Sequence, residues 1–188
     1  MSRVAVQRVD GDFRRRLSAA FSWRSDRGQW RGLADLTGWW RDADLLGELG
    51  PALAGLYDET PTVVLGPVSR GALLGALTAA SLGVGFVEVR KDQGQATDSD
   101  RWVKRTTAPD YQDRHIVFGF RRGLVDAGDR VLMVDDWVDT GATVRAVRGL
   151  VDDCGARWIG AACIVDGLTD PRFRHELPVR ALLDVRAL

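Results

Sequence analysis

Residues 131–143, Val-Leu-Met-Val-Asp-Asp-Trp-Val-Asp-Thr-Gly-Ala-Thr, constrain this 188-residue chain more than any other feature. The apolar run Val131 to Val134 predicts a buried strand, with two adjacent carboxylates, Asp135 and Asp136, at its carboxyl end. Thr140-Gly141 then turns the chain into a helix-like stretch from Thr143. In an open α/β sheet, ligands bind in the crevice beyond the carboxyl ends of the strands. A small-residue turn into a helix start offers unpaired backbone N–H groups and a positive dipole end to an anion. Paired carboxylates suit sugar hydroxyls and a helix tip suits a phosphate, so the segment predicts a sugar-phosphate site. It does not match the nucleoside-triphosphate loop, since no Gly-Lys-Ser/Thr follows the glycine, nor the Gly-x-Gly-x-x-Gly of dinucleotide folds.

Around this segment, strand and helix patterns alternate. Thr62 to Gly66 is a short apolar strand, Gly71 to Leu82 an Ala- and Leu-rich helix stopped near Gly83, and Gly85 to Arg90 the next strand. A helix follows from Thr143, then strands over Trp158 to Val165 and Ala181 to Val185. The expectation is an α/β fold with a central, mostly parallel sheet and flanking helices. Leu45 to Leu56 has helical spacing, as do Phe13, Leu17, Ala20 and Phe21. Trp23, Trp30, Trp39 and Trp40 lie among glycines and charges, in the manner of core or oligomer contacts. Residues 92–113 are polar and aperiodic, the pattern of a functional lid, and His115 to Phe120 reads as a strand beside it. The length suits a single domain, 1–188.

Charge narrows the partners. With 26 basic and 26 acidic residues there is no electrostatic reason to expect nucleic acid or an anionic membrane surface. Cys154 and Cys163 make no metal-binding spacing, and a reduced cytoplasmic setting is expected.

A second cluster, Gly66-Pro67-Val68-Ser69-Arg70-Gly71, repeats the strand–turn–helix pattern and offers a hydroxyl, a guanidinium fork and a close-approach glycine. Together with residues 131–143 it resembles the signatures of type I phosphoribosyltransferases, most similar to the adenine enzymes of that family. The resemblance spans about residues 33–186. It implies magnesium-dependent transfer of a 5-phosphoribosyl group from phosphoribosyl pyrophosphate (PRPP) to a nitrogenous base, in a cytoplasmic homodimer with a small hood (1–40) and a flexible loop (92–113). It further implies Asp135 and Asp136 on the ribose and the metal, and Asp139, Thr140, Gly141, Ala142 and Thr143 around the 5′-phosphate. Ser69, Arg70, Gly71, Arg90 and Lys91 would hold pyrophosphate, and Leu36, Trp137 and Val138 would line the base pocket. Asp139 and Asp110 are the implied acid/base candidates, Asp110 with Tyr111 matching a loop Glu-Tyr pair. Val68 stands where an acid is usual, and Leu33-Ala34-Asp35-Leu36-Thr37 stands where the adenine enzymes carry Phe-Arg-Asp-Ile-Thr. The strand after the signature helix lacks the lysine of 6-oxopurine enzymes. Adenine, a related purine and a non-standard heterocycle therefore stay open as the base, and a non-catalytic PRPP sensor is the alternative from another class.

Overall fold

A computed structural model describes residues 10–25, 32–91, 101–107 and 116–188. Its main sheet has seven strands in the order β5-β6-β4-β3-β7-β8-β9. These are β3 (Val63–Pro67), β4 (Gly85–Lys91), β5 (Trp102–Thr106), β6 (Val117–Arg121), β7 (Arg130–Val138), β8 (Arg157–Asp166) and β9 (Val179–Asp184). The four junctions β4–β3, β3–β7, β7–β8 and β8–β9 are parallel, whereas β6 pairs antiparallel with both β4 and β5. A smaller sheet is the antiparallel hairpin β1 (Ser22–Arg24) and β2 (Leu33–Asp35), followed by the short helix α2 (Thr37–Arg41).

Helices cover both faces, because parallel strands are apolar on both sides. α3 (Ala43–Ala54) and α4 (Arg70–Leu82) pack on one face with α1 (Gly11–Ala19), and α5 (Ala142–Asp153) packs on the other. β7 serves both cores by alternation: Val131 and Met133 point to the α5 side, Leu132 and Val134 to the α3 and α4 side. In α5 the buried residues Val144, Val147, Leu150 and Val151 recur at helical spacing, leaving Arg145 and Arg148 outward. α4 instead lays a small-residue face, Gly71, Gly75, Thr78 and Ala79, on the sheet. A methyl group on Gly75 would meet the Phe86 ring at 2.7 Å, so this helix can sit close only because those side chains are small.

The connection β3–α4–β4 leaves the sheet on one side of the β3–β7 junction, and β7–α5–β8 leaves on the other. Chain direction therefore diverges between β3 and β7, which is where open α/β sheets form their ligand crevice.

Four features differ from the sequence expectations. β7 continues through Val138, so Asp135 and Asp136 belong to the strand rather than following it. The hairpin β1–β2 shows no sustained alternation that would have revealed it. Residues 102–106, part of the stretch expected to be a structureless lid, form edge strand β5. This strand is tied down by Arg105, whose guanidinium donates to Asp153 on α5 at 2.6 and 2.5 Å. The strand expected over His115 to Phe120 appears as β6, and α6 (Pro171–Glu176) adds a helix not foreseen.

Candidate functional site

The crevice is built from the two turns that follow β3 and β7. After β3, residues Val68–Ser69 carry a cis peptide bond and lead straight into α4 at Arg70. After β7, Asp139 and Thr140 form an exposed turn, and Gly141 starts α5 with φ of 75°, a left-handed conformation that favours glycine. The sequence placed both turns correctly, and the parallel register of β3 and β7 brings them to the same end of the sheet.

The acid pair joins the turns. Asp136 is buried, and its Oδ2 lies 3.0 Å from the Arg70 guanidinium. The Asp136 backbone N–H donates to Asp135 Oδ1 at 2.9 Å. Gly71 is pressed against the same place: a Cβ there would stand 2.8 Å from Asp135 Oδ1, 2.9 Å from Pro67 Cδ and 3.0 Å from the Val134 carbonyl oxygen. The start of α4 thus needs a glycine at 71 to seat against β7, and that contact fixes Arg70 beside Asp136.

The electrostatics are strained by design of the site. Burial pushes the Asp135 carboxyl well above the usual carboxylate range, and the charge of neighbouring Asp136 pushes it further, while Lys91 pulls it back. Lys91 ends β4 and its ammonium sits 5.7 Å from the centre of the Phe118 ring. Arg90 precedes it, exposed and 3.7 Å from Glu88. Asp135 is therefore a half-buried acid beside a second carboxylate, a place where a cation or hydroxyl donors would be favoured.

Could the acids hold a metal? Among the described residues no group of three or more His, Cys, Asp or Glu forms an all-protein cage. Magnesium does not need one: it is commonly held by one or two carboxylates with substrate oxygens and waters completing the octahedron. Asp135 and Asp136 fit that donor set.

Two cavities flank the acids. The first, about 130 Å³, is lined by Asp135, Trp137, Asp139, Thr140, Gly141 and Thr143, among others. It lies at the amino end of α5, where backbone N–H groups lack helical partners. Thr140 Oγ1 accepts from one of these, Ala142 N–H, at 3.3 Å. The second, about 430 Å³, is walled by Leu33, Leu36, Trp40 and Ala34, with Arg24, Asp35, Thr37 and Arg70 as its polar members.

Arg70, Gly71, the acid pair and the 139–143 turn meet at one crevice, with Lys91 close enough to act electrostatically on Asp135. The three expected base-pocket residues are split. Trp137 and Val138 line the helix-tip cavity, whereas Leu36 lines the larger one. Trp137 is wedged under the amino-terminal hairpin, 6.0 Å from the Trp23 ring centre in an edge-on arrangement and 6.3 Å from Phe21. Gly167 makes room for its indole; a methyl there would be 2.6 Å from Trp137 Nε1. Asp139 lies with the helix-tip residues, and Asp110, with Tyr111, lies outside the described residues. Arg24 and Trp40 also line the larger cavity, and no short motif marks Arg24, because the hairpin register that brings it there pairs it with Leu33, nine positions on.

An open, doubly wound sheet with acids and two anion-ready turns at its switch point belongs to the class of α/β proteins that bind phosphorylated ligands there. Residues 46–185 match the model of the phosphoribosyl transferase domain, and the chain belongs to that family. The adenine phosphoribosyltransferase of Clostridium kluyveri is 35% identical over 144 residues, covering 76% of this chain and 80% of that protein. That of Albidiferax ferrireducens is 33% identical over 193 residues, covering 98% and 95%. Among solved structures, the adenine phosphoribosyltransferase of Rhodothermus marinus superposes with a TM-score of 0.79 at 27% identity, covering 94% of this chain and 100% of that one. The Trypanosoma brucei enzyme, solved in complex with AMP, pyrophosphate and ribose-5-phosphate, gives 0.76 at 26% identity, covering 100% and 89%.

Proposed function

We propose that this protein is a phosphoribosyltransferase that moves the 5-phosphoribosyl group of PRPP to adenine, releasing pyrophosphate, in purine salvage. The observation that carries the reading is the acid pair at the β3–β7 switch point, bracketed by Arg70 on one side and the α5 tip on the other. Curated relatives covering most of this chain are adenine phosphoribosyltransferases, which supports adenine as the base.

In this reading the N–H groups at Gly141, Ala142 and Thr143 and the Thr140 hydroxyl receive the 5′-phosphate, stabilised by the helix dipole. Asp135 and Asp136 accept the ribose 2′- and 3′-hydroxyls. Ser69, Arg70, the Gly71 amide, Arg90 and Lys91 hold the pyrophosphate. Arg70, already beside Asp136, then exchanges a carboxylate for a phosphate oxygen, a partner of similar geometry for its fork. Bound magnesium would supply further charge neutralisation on the departing pyrophosphate, with Asp135 and Asp136 as its protein ligands. The C1′–oxygen bond breaks as a base nitrogen approaches, through an oxocarbenium-like ribose. The chain's contribution is positioning, leaving-group stabilisation and exclusion of water. Asp139 is the described carboxylate assigned to receive the proton that the base gives up. The same reading makes the chain one domain with an amino-terminal hood, working as a cytoplasmic homodimer.

The test is incubation of the purified chain with PRPP, magnesium and each of a panel of bases, with pyrophosphate and nucleotide both quantified. AMP and pyrophosphate in equal amounts from adenine support the reading. PRPP binding without turnover of any base would overturn it in favour of a sensor.

A further inference from the structure

The cavity of about 430 Å³ beside the hairpin has a wall chemistry unlike the rest of the crevice. Leu33, Ala34, Leu36 and the Trp40 indole make it largely apolar, which suits a flat heterocycle better than a phosphate. It reaches the reaction centre through Arg70, which lines it and also pairs with Asp136. Two cationic side chains face it, and they differ. Arg70 is the first residue of α4. Arg24 comes from the end of β1, opposite Leu33 in the hairpin register, and its side chain is 73% exposed.

Arg24 is aimed by its neighbours. Its Nε forms an ion pair with Asp35 Oδ2. Asp35 is itself fixed, its Oδ1 accepting from the Thr37 backbone N–H at 2.9 Å and the Thr37 hydroxyl at 2.5 Å. Both Asp35 oxygens are thus occupied, and the carboxylate is only 13% exposed. Among the described residues, the terminal nitrogens of Arg24 are consequently the hairpin's charged donors towards the cavity, since a guanidinium has five N–H groups and no acceptor. The strand that carries Arg24 is held in turn by Trp23, edge-on against Trp137 of β7.

We propose that Arg24, held by Asp35, is the side chain that grips the acceptor base, donating to a ring nitrogen or carbonyl of a heterocycle stacked in the hairpin cavity. The inference rests on the phosphoribosyltransferase reading of the site and names the residue that recognises its second substrate. Arg24 acts on the base alone, while Arg70 serves the pyrophosphate. Asp35 is a positioning residue that sets the direction of the guanidinium.

The experiment compares the full chain with Arg24→Ala, Arg24→Lys and Asp35→Asn in steady-state assays with PRPP and adenine, alongside calorimetric PRPP titration. Loss of one charge-assisted hydrogen bond predicts a rise of roughly ten- to a hundredfold in KM for adenine in Arg24→Ala. PRPP affinity and melting temperature stay as in the wild type. Arg24→Lys recovers part of the loss, and Asp35→Asn shows a smaller rise in the same parameter. Unchanged KM for adenine in Arg24→Ala, or an equal loss of PRPP affinity, overturns the assignment while leaving the wild-type activity in place. A wild-type chain that turns over no base at all overturns the underlying reading, and this assignment with it.

Discussion

Gly71→Ala probes the contact on which the crevice depends. The added methyl would stand 2.8 Å from Asp135 Oδ1, 2.9 Å from Pro67 Cδ and 3.0 Å from the Val134 carbonyl oxygen, all short of the 3.4 Å where ordinary contact begins. Two of these atoms cannot retreat cheaply. Val134 O belongs to a central strand paired on both sides, and Pro67 ends β3 beside it. The strain must therefore move the start of α4 away from β7 or turn Asp135 aside. Overpacking of this kind costs about 1–3 kcal/mol. For a chain of this size that corresponds to a fall in Tm of roughly 2–12 °C. Gly47→Ala is the matched control. Gly47 lies in α3, exposed, and a methyl there meets nothing within 4 Å. Replacing that helical glycine should stabilise by about 0.5–1 kcal/mol. Both variants are read by calorimetric melting and by PRPP titration. The expected result is a lowered Tm with weakened PRPP binding for Gly71→Ala, against a raised Tm and normal binding for Gly47→Ala. A Gly71→Ala protein that melts and binds like the wild type would refute the idea that this glycine seats the start of α4 on the acid pair.

Other outcomes follow from the same geometry. Because burial holds the Asp135 carboxyl above its unfolded value, near 3.9 in model peptides, its protonated form favours folding. That contribution is complete below the unfolded value and is lost as pH rises through the folded one. Asp135→Asn should accordingly raise Tm in ligand-free protein at pH 7.5, with the gain shrinking towards pH 4; a pH-independent difference would contradict it. Tyr57 is buried, with its hydroxyl 2.5 Å from the Pro178 carbonyl oxygen and 3.1 Å from that of Ala161. Tyr57→Phe should cost about 0.5–1.5 kcal/mol in chemical denaturation without altering PRPP affinity, because a buried hydrogen bond is lost while the Pro178 carbonyl keeps the Ala161 N–H at 2.8 Å. Full stability in that variant would remove the bond from the account.

The parallel heart of the fold was legible because its signals are local. Val131 to Val134 is apolar on both faces, Thr140-Gly141 must turn, and the residues after them have helical spacing, so strand, site and helix announce themselves within thirteen positions. The Ser69-Arg70-Gly71 turn was readable for the same reason. The rest depends on contacts distant in sequence. Edge strand β5 carries no apolar alternation; it exists because β6 pairs with it and Asp153 holds Arg105. The hairpin β1–β2 is three residues per strand and takes its place from the packing of Trp23 and Phe21 on Trp137. Trp137 was expected at a base pocket, yet nothing in the order of residues says which face its indole takes. That depends on Gly167, thirty positions on, which leaves room for the ring.

Calorimetric titration of PRPP with magnesium into Asp135→Asn and Asp136→Asn, against the wild type, tests the acid pair most directly. Both variants should lose roughly tenfold or more in affinity, the cost of exchanging charged hydrogen bonds for neutral ones, although Asp135→Asn folds at least as stably as the wild type. Wild-type PRPP affinity in both variants would contradict the central claim that these two carboxylates hold the ribose.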